Sequence, residues 1–389
     1  MIERKNSHLL LLALATFFSS PAFPHAQGAP RDEPVLQLCA DYSASGDLLK
    51  ASVAAHSFSI SIARPTGKVV ELTENIPDFV PISPPAPSIV PCQLAVSTSL
   101  DRAALAISTP SGIFLQLFDP ANGKLTHSVR VPLRFPIQFP IHPIGFVGGS
   151  DQLAVSQAHY LSTGEPEIAT QFVSTDGSIT SVPHLATGPR FTEVSASSFD
   201  FHRGRVWFLC PVYSARIDRQ PRCTLTSAPL REVSAPPLEI PPPPDDRVVG
   251  SGQPNLGFPS SDVAILLAEK RFWLYNFADR SFRQLNLPET PHHIRWFEFP
   301  GQPKFTSDGR FAAVPVAMFH YPLFHEGQVR HGTKVLIVEL STLHILATIQ
   351  PTGEKNIVDL ALHNDGGDLT LVVNWGKEWR SFNISSVVH

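Results

Sequence analysis

A polar turn of Ser, Asp or Gly joins two apolar stretches at seven places along this chain, and the recurrence constrains the fold more than any local propensity. The first strand and turn of the unit read VLQLCADYSASGDLLKASV from Val35 and CQLAVSTSLDRAALAIS from Cys92. They return as IGFVGGSDQLAVSQ from Ile144, SASSFDFHRGRVWFLC from Ser195 and LGFPSSDVAILLAE from Leu256. The last two are PKFTSDGRFAAVPV from Pro303 and IVDLALHNDGGDLTLVV from Ile357. Successive units lie roughly 45–60 residues apart, longer than most helical repeats.

Each unit continues into a strand of period two. Phe58, Ile60 and Ile62 alternate with serines, and IFLQLF from Ile113 behaves similarly. Equivalent stretches are ATQFV from Ala169, CTLTSA from Cys223, RFWLYNF from Arg271, KVLIVEL from Lys334 and EWRSFNI from Glu378. Apolar side chains at every second position place one face of a strand on a core. Turn sequences follow, such as RPTGK at Arg64, DPANGK at Asp119, STDG at Ser174 and ADRS at Ala278. Gly, Asn and Asp suit them because such turns demand positive φ or side-chain-to-backbone hydrogen bonds.

Four strands per unit in seven units predict an all-β chain, a seven-bladed β-propeller of four-stranded antiparallel blades spanning 29–389. Blades are expected to start near 35, 92, 144, 195, 256, 303 and 357. A β-sandwich is the alternative, disfavoured by the sustained period. FTSDGRFAAV from Phe305 and KVLIVELSTLHILATI from Lys334 resemble the blades of bacterial secreted surface propellers, where an S-x-D-G-x-x-x-A-V hairpin precedes a V-x-V-I-D-x-x-T-G-K-V hairpin. WD-repeat proteins have a related blade, but their Gly-His and Trp-Asp signatures are absent here. Low charge (16%) and 38 prolines, about twice the usual share, agree with a loop-rich β array.

The N-terminus reads as an export signal over 1–28. Arg4 and Lys5 precede an apolar run from Leu9 to Phe18, and Ala22, Ala26 or Gly28 would be the last residue before cleavage. A membrane anchor is the alternative, for which the run falls short of the roughly 20 residues a span needs. A periplasmic or extracellular protein with no span after cleavage is expected. Four cysteines in such a chain suit disulfides. Aligning the repeats places Cys210 and Cys223 across one hairpin, and Cys39 and Cys92 on the first strands of neighbouring blades. The pairs Cys210–Cys223 and Cys39–Cys92 are therefore expected, with buried free thiols as the alternative.

The functional reading is thinner. A net charge of −4 without a basic cluster excludes a nucleic-acid footprint. Neither a G-x-S-x-G elbow, an H-E-x-x-H helix nor a phosphate-cradling loop occurs, so no catalytic residue, metal site or cofactor is assigned. Connections between second and third strands and between blades are long: 81–91, 132–143, 211–222, 236–254, 288–303 and 319–332. Functional residues concentrate on loops held by a rigid scaffold, which makes this rim the expected binding face unless the loops are tolerated insertions. His292, His293, Arg295 and Trp296, with His320, Tyr321, His325 and His331, are the ligand-binding candidates there, joined by Phe324. Histidines and aromatics together suit a sugar or peptide, and histidine pairs suit a metal, although the spacing matches no metal motif. Chance clustering among sixteen histidines is the alternative. The expectation is an exported monomer that binds a protein, peptide or glycan. A lactonase-like or glycan-cleaving hydrolase with its site at the channel mouth is the alternative. Blade seven has three strands, leaving 385–389 or 29–34 to cover its outer edge.

Overall fold

The computed structural model describes residues 35–54, 56–76, 90–97, 101–109, 112–134, 143–148, 150–160, 166–182, 185–186, 196–209, 225–231, 236–244, 255–268, 271–287, 296–298, 302–320, 329–350, 357–375 and 378–384. Within the compact unit Pro34–His389 these form seven antiparallel sheets and no helix among the described residues. The sheets are arranged in chain order around an axis, making a seven-bladed β-propeller as the period requires. Their innermost strands are Gln37–Tyr42, Gln93–Val96, Ile144–Phe146, Ala196–Asp200, Asn255–Gly257, Lys304–Phe305 and Ile357–Asp365.

Two alternations, each with a different burial, explain how the blades stack. In blade two the strands Ala103–Thr109 and Gly112–Asp119 are buried at every position but the last, because both faces meet a neighbouring sheet. In blade one, Leu48–Val53 and Ser57–Ala63 alternate strictly between buried and half-buried. Leu49, Ala51, Val53, Phe58, Ile60 and Ile62 pack against Leu105, Ile107 and Phe118 of blade two. Five further apolar clusters of this kind follow. Leu115 with Val155 joins blades two and three, and Phe172 with Val206 joins three and four. Trp207 with Tyr275 joins four and five, Phe272 with Val314 joins five and six, and Ile337 with Leu371 joins six and seven. A fully buried Ile or Leu contributes about 1.5–3 kcal/mol, so these six joints carry most of the cohesion.

The turns near the axis are built from the residues that the repeat displays. The Ser43 hydroxyl accepts from Asp47 N–H at 3.0 Å, while Gly46 takes φ +83°. In blade six Asp308 accepts from Thr306 Oγ1 at 2.5 Å and from Arg310 N–H at 3.0 Å, with Gly309 at φ +66°. Asn364 of blade seven donates to the same Asp308 carboxylate at 2.7 Å, tying two turns together. Gly145 serves a close approach, because a Cβ there would overlap the Phe201 ring of blade four.

Cys39 and Cys92 are disulfide-bonded with Cα atoms 5.2 Å apart, as the repeat alignment expects. The proposed partners Cys210 and Cys223 lie outside the described residues. Blade seven shows three strands, Ile357–Asp365, Asp368–Trp375 and Glu378–Asn383, among the described residues.

The one-sidedness of blade one is directly testable. Ile60→Ala is expected to cost about 2–5 kcal/mol. Ser61→Ala, one residue on and facing the other way, should stay within about 0.5 kcal/mol. Denaturant midpoints of the two variants check the contrast, and equal losses would contradict it.

Candidate functional site at the channel mouth

On the rim that carries the short turns between first and second strands, six blades converge on one cleft of about 190 Å³. Blade one supplies Asp41, Tyr42 and Ser43, blade two Ser97, blade four His202, blade five Pro259, blade six Lys304 to Ser307, and blade seven Leu362 and His363. Each lies at the end of an innermost strand or in the turn that follows, so the position of every group is set by a sheet rather than by a free loop.

The floor is charged. Lys304 Nζ lies 3.7 Å from Asp41 Oδ2, and both side chains keep contact with water, at 27% and 29% exposure. Asp359 enters from blade seven and accepts a hydrogen bond from Ala40 N–H of blade one at 2.7 Å. Burial on its own pushes the Lys304 ammonium down, but the Asp41 and Asp359 charges outweigh it and hold the group above its ordinary value. Burial raises the Asp359 carboxyl, and the pull of Lys304 and of the Ala40 and Leu360 N–H groups does not cancel that rise. The Lys304 cation thus pairs with Asp41 of blade one and is held charged in part by Asp359 of blade seven.

Above this floor the mouth is aromatic and hydroxylic. Tyr42 and His363 stack with ring centroids 4.8 Å apart and planes 20° from parallel. Burial pushes the Tyr42 phenol up to about 12. Burial likewise lowers His363, partly opposed by Asp365 and Asp308, which favours a neutral imidazole against the ring. Ser43, Ser97, Thr306 and Ser307 provide hydroxyls around them. A neutral stacked pair and a ring of hydroxyls suit hydrogen bonding and ring contact with a small polar group.

The residues singled out on the long-loop side fare differently. Trp296, His320 and His331 fall in one ribbon of blade six, where Trp296–Glu298 pairs with Phe311–His320, which pairs in turn with Val329–Glu339. Their backbone register brings Trp296 opposite Phe319, and His320 opposite Val329. His292, His293, Arg295, Tyr321, Phe324 and His325 lie outside the described residues, as do most of the long loops. No group of three or more His, Cys, Asp or Glu able to hold a metal occurs among the described residues.

Sequence reading missed the short-turn mouth because loop length pointed to the other rim. A signal was present nonetheless: Asp41, Lys304 and Asp359 are charged residues directly beside apolar ones (Ala40, Phe305 and Leu360) on the first strands.

The chain is therefore a seven-bladed β-propeller with a polar cleft at one end of its channel. No protein-family model matches it, and no curated protein matches it. Among solved structures it is similar to the hydrazine synthase of Kuenenia stuttgartiensis, 12% identical over 92% of this chain and 99% of that one, with a TM-score of 0.49. It is also similar to a chain of a mitotic checkpoint complex, 10% identical over 96% and 99%, with a TM-score of 0.46. The fold assignment rests on the chain's own sheets rather than on either likeness.

Lys304→Met leaves Asp41 and Asp359 facing one another without their cation. The loss expected at neutral pH is about 1–3 kcal/mol, because the site is partly wet. A carboxyl whose folded value is raised contributes stability below its unfolded value and loses it as pH rises through the folded one. The deficit of the variant should therefore be greatest at neutral pH and shrink towards about pH 4. Melting temperatures of both proteins at several pH values check this, and a deficit independent of pH would refute it.

Gly46→Ala offers a second check. The residue has φ +83°, and a Cβ would sit 2.8 Å from His363 Nε2. Both effects oppose the Tyr42–His363 stack, and a loss of about 1–2 kcal/mol is expected from the left-handed backbone alone.

Proposed function

We propose that this chain is an exported binding module whose channel mouth receives a small polar group of its ligand. The observation that carries the reading is the convergence of six blades on one cleft lined by the Asp41–Lys304 pair and flanked by the Tyr42–His363 stack. At about 190 Å³ the cleft is smaller than the roughly 300–1,000 Å³ of a site for a drug-sized molecule. That size fits one sugar ring or one side chain presented by a larger protein, peptide or glycan. The extended blade-six ribbon, whose paired strands of 10 and 11 residues carry His320 and His331, is a second contact surface for such a partner on the opposite rim.

Export is part of the proposal. The signal-like N-terminus supports it, and so does the Cys39–Cys92 disulfide, since such bonds persist in oxidising compartments. The hydrolase alternative would draw on Asp41, His202 and His363, which line the same mouth. Asp41 and His363 are already engaged by Lys304 and Tyr42, which favours binding.

Thermal-shift titration tests the site, using free amino acids, tripeptides and neutral mono- to tetrasaccharides as probes. Ala44 is exposed at the edge of the cleft, so Ala44→Trp fills the mouth without touching the core. A probe class that raises the melting temperature of the wild type but not of Ala44→Trp supports binding at the mouth. Equal shifts on both proteins, or none from any class, would overturn it. Turnover of a chromogenic ester or lactone that Asp41→Asn abolishes would favour the hydrolase instead. Intact mass of protein recovered from outside the host cytoplasm should show cleavage after Ala22, Ala26 or Gly28.

A further inference from the structure

Six of the seven joints between blades contain an apolar cluster, and the joint between blades seven and one has none among the described residues. The faces that meet there mix polar residues with the buried Leu38, Ala40, Ala361 and Val372, which join none of these clusters. Blade one presents Lys50, Ser52, Ser59 and Ser61, the positions alternating with its apolar set, and Ser52 and Ser59 hydrogen-bond each other at 2.7 Å. Blade seven turns Leu360, Leu362, Leu371 and Val373 towards blade six. Asp359, Ala361, Val372 and Asn374 are left facing the other way.

Asn374 is fully buried, yet neither its amide nitrogen nor its amide oxygen has a hydrogen-bond partner among the described residues. A buried amide in this condition bears its full desolvation penalty in the closed ring and regains water when the joint parts. The polar contacts that span the joint include Ala40 N–H to Asp359 and the Tyr42–His363 stack, with Lys304 paired to Asp41 and acted on by the Asp359 charge.

One further element crosses it. The two-residue strand Val90–Pro91 pairs in parallel with Gln37–Leu38 on the axis side of blade one, and it lies beside the innermost strand of blade seven. The next residue is Cys92, which is bonded to Cys39 and donates its N–H to Leu38 O at 3.4 Å. The disulfide therefore pins a strap across the inside of the joint that has no apolar cluster among the described residues.

We infer that the ring opens between blades seven and one, and that the strap pinned by Cys39–Cys92 holds this joint shut. Local opening draws on regions of low apolar cohesion, and this joint is held without an apolar cluster among the described residues. Opening here separates Asp41 and Tyr42 from Asp359 and His363, so it dismantles the channel mouth while leaving the other joints packed.

Val372 and Val373 are adjacent on one strand, are both buried and face opposite joints. Val372→Cys and Val373→Cys are conservative probes for thiol labelling of the native full-length protein, read peptide by peptide by mass spectrometry. The residue facing blade one should label about tenfold faster or more, because local opening exposes it without global unfolding. Adding Cys39→Ser with Cys92→Ser should widen the ratio further. Asp359→Ala, which removes the acceptor of Ala40 N–H, should widen it even if the serine variant fails to fold. Equal labelling at 372 and 373, or faster labelling at 373, would overturn the opening site. A folded serine variant whose ratio is unchanged would overturn the role of the strap.

Discussion

Apolar side chains pressed between neighbouring sheets hold six joints of this ring, whereas Asp359 and its neighbours hold the seventh. A propeller is stable only as a closed circle, since each blade buries its two faces against two others and a gap exposes both partners. The Asp359 carboxylate performs a dual task at that point. It accepts from Ala40 N–H of blade one, and its charge acts on Lys304 of blade six, so one group relates three blades. Polar closure is directional where apolar burial is not, which fixes the registration of blade one on blade seven.

The same groups form the floor of the cleft. Closure and the candidate site are consequently one structure: whatever displaces Asp359 or Lys304 disturbs both the ring and the mouth. Tyr42 and His363 continue this relation outward, because each belongs to a different blade and their stack exists only when the joint is shut. A ligand seated against that stack would bind the closed ring in preference to the open one and stabilise it by mass action. The arrangement gives a physical reason for charged residues on strands whose neighbours are almost entirely apolar.

Much of the architecture was legible in the residues. The Ser-Asp-Gly turns marked the tight hairpins, because Asp308 and Gly309 are among the few residue types able to supply the side-chain acceptor and the positive φ. Cys39 and Cys92 were assignable as a pair once the repeats were aligned, since equivalent strands of neighbouring blades approach one another. Phe58, Ile60 and Ile62 alternating with serines already declared a strand with one apolar face. What that alternation could not convey is which neighbour the polar face meets.

The sequence by itself determined the period, the all-β character, the turn chemistry and the Cys39–Cys92 bond, because each depends on residues close in the chain or related by the repeat. Tertiary structure alone decided that Asp41 meets Lys304, that Asp359 accepts from Ala40 N–H, that Tyr42 meets His363, and that Asn374 is buried without a partner among the described residues. These groups come from opposite ends of the chain. Only bending the array into a circle brings its first blade against its last, and no local pattern encodes what two distant faces will find when they touch.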